Sequence, residues 1–119
     1  MELKLDTRPD HLRVVAAGAY EPAAARQGLA QVISQSQATG LTRILIDGRG
    51  IAGLVSIADR YELATSLATM AGSRLRVAIL VSPENMFTKT LEDTARNRGA
   101  QVRTTDSLGE ALAFLEISG

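Results

Sequence analysis

The stretch RILIDGRGIAGLVSIADRY, residues 43–61, decides how this chain is read. Leu41 to Asp47 has the length of a strand, and Ile44, Leu45 and Ile46 are apolar on both sides of it, the pattern of a central strand covered on both faces. Asp47 ends that run. Gly48, Gly50 and Gly53 then read as a turn, and Ser56 followed by Asp59 has the spacing of a capping box that opens a helix. In open α/β sheets, ligands and partners collect where such loops leave the carboxyl ends of the strands. The segment from Asp47 to Tyr61 is therefore the first place to look for function.

Working outward, Glu2 to Asp6 alternates apolar and polar residues, and Leu12 to Gly18 continues as a second strand after a turn containing Pro9 and Asp10, which makes a hairpin. Pro22 suits a first helical position, with Ala25, Leu29, Val32, Ile33 and Ser36 recurring at helical spacing until Gly40. After Ser56, the residues Ile57, Tyr61, Ala64, Ala68 and Ala71 form an apolar stripe, widened by Leu63, Leu67 and Met70. Val77 to Val81 is continuously apolar and reads as a second central, parallel strand beside Ile44–Ile46. Ser82 and Pro83 open a further helix with Phe87, Leu91 and Ala95 facing inward, ended by Gly99. Gln101 to Thr104 is a polar edge strand, and Ser107 with Glu110 caps a last helix carrying Leu108, Ala111, Leu112 and Leu115. The order ββαβαβαβα implies an α/β fold with a mixed sheet of four or five strands, in one domain spanning 1–119.

Composition narrows the function classes. Thirteen basic and thirteen acidic residues give a net charge of zero, and they alternate rather than cluster, so the chain lacks the basic face that nucleic acid requires. Arg96, Arg98 and Arg103 are offset by Glu92, Asp93 and Asp106. There is no cysteine and one histidine, which removes disulfides, thiolate catalysis and multi-histidine metal sites. The first fifteen residues lack a signal peptide's apolar core, and no run reaches the roughly 18 apolar residues of a membrane span. A cytoplasmic protein without cofactor or metal is expected.

Each candidate residue has a plain structural alternative. Gly48, Gly50 and Gly53 match the spacing of a dinucleotide fingerprint, but the helix cap lies after them at Ser56 and no acidic residue falls about 20 positions on. The competing reading is a flexible turn. Ser56 is a cap or a modified, ligand-contacting hydroxyl. Asp47 either meets a partner or accepts backbone N–H groups of its own turn. Arg49 and Arg60 flank the loop and either hold an anion or form surface ion pairs with Asp47 and Asp59. Ile51, Leu54, Val55 and Ile57 fold onto the core or form an exposed patch. His11 reads as a solvated residue on an edge hairpin.

The Arg43–Asp47 strand, Arg60-Tyr61-Glu62, Val77 to Pro83, and Asn97-Arg98-Gly99 before Ala111-Leu112-Ala113-Phe114-Leu115 together resemble the STAS domain superfamily. More narrowly, they resemble its SpoIIAA-like (STAS/SEC14-like) family of small bacterial proteins, related to the anti-sigma factor antagonists. In phosphorylated STAS proteins the serine lies nine residues after the aspartate of the central strand, and Ser56 lies nine after Asp47; Val55 stands where an acidic residue is usual. The resemblance implies a non-enzymatic regulatory or protein-interaction module. Its contact surface would be Asp47, Arg49, Ile51, Leu54, Ser56, Arg60 and Tyr61, with Ser56 a candidate phosphosite and a protein as partner. Separately, the apolar 51–57 loop on a small core leaves surface that a homodimer would cover. The resemblance also leaves open a binder of a small apolar or lipid-like molecule, and more remotely an enzyme using Asp47 or Glu84. A cavity among Ile51, Leu54, Val55 and Tyr61 would favour the ligand; a flat exposed patch would favour the protein partner.

Overall fold

The computed structural model describes residues 1–86 and 88–118. Its strands are β1 (Glu2–Thr7), β2 (Leu12–Ala19), β3 (Arg43–Ala52), β4 (Arg76–Leu80) and β5 (Gln101–Thr105); its helices are α1 (Pro22–Thr39), α2 (Ile57–Ala71), α3 (Thr90–Asn97) and α4 (Leu108–Leu115). The five strands form one sheet in the order β1-β2-β3-β4-β5. Only β1 and β2, joined by a tight turn, are antiparallel; the other neighbours are parallel, as helical crossovers require. The expected element order and mixed sheet are both present.

The two apolar runs pair as the sequence implies, with Ile44 opposite Val77 and Ile46 opposite Ile79. Alternation along them sends side chains to both faces. Leu12, Val14, Ile44, Val77, Ile79 and Val102 pack beneath α1, α2 and α3. On the other face Leu45 and Ala78 meet Ala111 and Leu115 of α4. Helix α1 ends at Gly40 in the left-handed region, φ 76°, whose N–H bonds Ser36 O.

Four details depart from the sequence reading. Strand β3 does not stop at Asp47 but runs on to Ala52. Its continuation pairs with β2 across a register shift between Val15 and Ala17, where a Cβ on Gly50 would lie 3.1 Å from both Ala16 O and Ala17 Cβ. Gly48 and Gly50 are thus strand residues selected for close approach, and of the three glycines only Gly53, at φ 74°, makes a turn. Second, the helix expected from Pro83 is a 3₁₀ turn, Pro83–Met86, and α3 begins separately at Thr90, whose N–H bonds the Thr88 hydroxyl at 3.2 Å. Leu91 and Ala95 are buried; Phe87 lies outside the described residues. Third, His11 is buried rather than solvated, with Nδ1 2.6 Å from Asp10 Oδ1. Fourth, Leu108 stays exposed while Ala111 and Leu115 fill the α4 contact. Among the described residues no helix is long and apolar enough to cross a membrane.

Candidate functional site

The carboxyl end of β3 separates the candidate residues between the two faces of the sheet. Asp47 shares a face with Leu45, the α4 side. It is buried, and its carboxylate accepts from Arg49 three times: Nε at 3.0 Å, Nη2 at 2.8 Å and the backbone N–H at 3.1 Å. Arg13 Nη2 stands 3.7 Å away. Arg49's side-chain hydrogen bonds, more than any other influence, hold the Asp47 carboxyl below its ordinary value. Both plain readings apply together: Asp47 accepts a local backbone N–H and forms an ion pair with Arg49. Engaged in this way the carboxylate is an acceptor with no proton to move, and Glu84 lies exposed on the 3₁₀ turn. Among the described residues no three His, Cys, Asp or Glu side chains are grouped to hold a metal ion.

On the opposite face, the loop into α2 is fixed by a buried polar knot centred on Arg60 and Asn85, exposed by 3% and 2%. Arg60 Nη2 donates to Asn85 Oδ1 at 2.7 Å, Nη1 to Asn85 O at 2.7 Å and Nε to Val55 O at 2.9 Å. Asn85 Oδ1 also accepts the Val55 N–H at 2.9 Å, while Nδ2 donates to Gly53 O at 3.0 Å and Ser82 Oγ at 3.2 Å. Arg60 is therefore neither an open anion site nor half of a surface pair with Asp59. Its planar guanidinium binds the backbone of two loops, a task a lysine's single ammonium could not perform. Asn85, which the sequence reading passed over, is the hub. The only cue in the sequence is its place just after β4, at the same end of the sheet as the β3–α2 loop.

With Arg60 inside, α2 is rotated so that Ala64, Leu67, Ala68 and Ala71 are buried while Ile57 and Tyr61, one turn apart, face outward. Leu54 is 65% exposed, Ile57 56% and Tyr61 49%. Ser56 lies between them on the surface, its Oγ accepting the Asp59 N–H at 3.1 Å as a helix cap. Arg98 braces the far side of the patch, donating to Tyr61 Oη at 2.9 Å.

Ile51 and Val55 turn the other way. They help line an apolar cavity of about 110 Å³ between the sheet and helices α1 and α2, bounded also by Ala25, Leu29, Leu63 and Ile79. The four residues posed around a single cavity are divided: Ile51 and Val55 line the cavity, while Leu54 and Tyr61 belong to the exposed patch.

Neither a family model nor a curated protein matches the chain by sequence. Among solved structures, an anti-sigma factor antagonist from Mycobacterium paratuberculosis superposes with a TM-score of 0.71 at 15% identity, over 97% of this chain and 93% of that one. At that identity the likeness is one of fold, and it agrees with the architecture implied by Arg43–Asp47 and Val77–Pro83: this chain shares the α/β fold of that anti-sigma factor antagonist.

Proposed function

We propose that the protein is a non-enzymatic regulatory module that acts by protein contact through the β3–α2 loop and the first turns of α2. The observation that carries this reading is the cluster of Leu54, Ile57 and Tyr61, large apolar side chains left exposed at the end of the sheet where partners collect. The name of the superposed structure, an anti-sigma factor antagonist, supports a regulatory role built on the same fold. A second copy of the chain is one partner that suits the patch, because an isologous pairing would cover both sets of apolar residues at once. Asp47 and Arg49, paired with each other on the α4 side of β3, are left out of this contact face.

A photo-crosslinking amino acid at Ile57 in the native cells tests the proposal, with the same label at Met70, exposed further along α2, as control. A recurrent protein adduct at position 57 and none at 70 is expected. Equal labelling at both positions, or none at either, would overturn the reading. Light scattering at micromolar concentration tests the homodimer, which Ile57→Asp should convert to monomer.

The cavity beneath α1 favours a second reading, a binder of a small apolar ligand, because its lining is almost free of polar groups.

A further inference from the structure

Resting on that second reading, the chemistry of the cavity defines its ligand. Small residues create the space: Ala16 and Gly48 on the sheet and Ala25 on α1 line it, where longer side chains would have closed it. A buried water needs two or more polar partners, and the lining is mostly apolar. Arg60 and Asn85 are bonded to each other and to the loop backbone, the Met1 ammonium is bonded to Glu21, and Tyr20 adds one hydroxyl-bearing side chain. Asn85, at the inner end, spends its amide on Val55, Gly53, Ser82 and Arg60. A charged or strongly hydrogen-bonding ligand would lose its hydration with little in return.

Size sets the second limit. The cavity measures about 110 Å³, the same order as an engineered apolar cavity of about 150 Å³ that stays dry and binds benzene or xenon. A long acyl chain exceeds that space. Of the described lining residues Leu3 of β1 is the most exposed, at 37%, with Met1, Tyr20 and Val55 half-buried. Its Cδ1 fills the notch left by Gly28 of α1, where an added methyl would collide with it. Leu3 is a side-chain plug between the edge strand and the helix.

We propose that this cavity is a binding site for a compact, uncharged hydrophobe of about the size of one aromatic ring, admitted past Leu3. Benzene titrated into methyl-labelled protein tests it, read from the methyl signals of Ile51, Val55 and Ile79. Saturable shifts at these methyls are expected in the wild type, with affinity at least tenfold weaker in Ala25→Leu, which fills the void. Val32→Phe serves the same purpose if Ala25→Leu does not fold. Absence of saturable shifts, or shifts unchanged in a folded filled variant, would overturn the proposal. A parallel titration with palmitate separates the two levels: palmitate binding without benzene binding overturns the compact ligand while keeping an apolar-ligand reading, and binding of neither removes both.

Discussion

Arg60 Nη2 lies 2.7 Å from Asn85 Oδ1, joining two buried side chains 25 residues apart, and that bond holds the β3–α2 loop against the turn after β4. Removing the amide in Asn85→Ala would leave the Val55 N–H without its acceptor and take from the charged guanidinium one of three acceptors, Asn85 Oδ1, while Asn85 O and Val55 O remain. Buried groups losing partners in this way cost about 1–3 kcal/mol each, and more when one is charged, so a total loss of about 2–4 kcal/mol is expected. Denaturant unfolding measures it. Hydrogen exchange at Val55 N–H should accelerate more than at Ile79 N–H in β4, since the loop is released before the sheet.

A side chain at Gly50 is expected to be costly. Its Cβ position is 3.1 Å from Ala16 O and from Ala17 Cβ, so Gly50→Ala must push β3 from β2 at a cost of about 1–3 kcal/mol. Gly53→Ala meets no neighbour within 4 Å, and its cost of about 1–2 kcal/mol comes from the left-handed backbone alone. The two variants differ in what they disturb. Nuclear magnetic resonance shifts should spread into β2 for Gly50→Ala and stay within the loop for Gly53→Ala.

These two glycines also mark where the sequence stopped being legible. Continuous apolar runs at Ile44–Ile46 and Val77–Val81 leave little freedom in strand placement, and Pro22, Gly40, Ser56 and Ser107 punctuate helices by local chemistry that needs no tertiary context. Gly50 depends on a register shift in β2, a partner some 35 residues earlier in the chain, so a strand glycine and a turn glycine look alike until the strands are paired. The α2 face was ambiguous for a related reason. The apolar stripe Ile57, Tyr61, Ala64, Ala68 and Ala71 is buried at Ala64, Ala68 and Ala71, but in the first turns Arg60 is buried and Ile57 and Tyr61 are exposed, because Asn85 and the Val55 carbonyl satisfy Arg60 there.

Acid should expose the Asp47–Arg49 pair. Asp47 titrates below its ordinary value of 3.8 in the folded protein, chiefly through the hydrogen bonds from Arg49. A depressed carboxyl pKa contributes stability that is complete above the unfolded value and is lost as pH falls through the folded one. Stability is thus expected to decline below about pH 4, and Asp47→Asn should flatten part of that decline while lowering stability at neutral pH. Urea midpoints across the acid range check both; an unchanged slope in Asp47→Asn would remove Asp47 from the account.

Ser56 carries the most direct test of regulation, because its cap and a switch make different demands on one hydroxyl. The Oγ accepts the Asp59 N–H at 3.1 Å, so Ser56→Ala should cost about 0.5–2 kcal/mol. Ser56→Asp should retain stability, since aspartate caps as well and its charge favours a helix amino terminus. Binding separates the roles. Ser56 is exposed between Leu54 and Ile57, so a partner that covers the patch must desolvate whatever stands at position 56. A carboxylate there resists that burial, as a phosphate would more strongly. Crosslinking from Ile57 should therefore persist in Ser56→Ala and fall sharply in Ser56→Asp, with both proteins folded by circular dichroism. Equal crosslinking in the two variants would leave Ser56 a cap and nothing more.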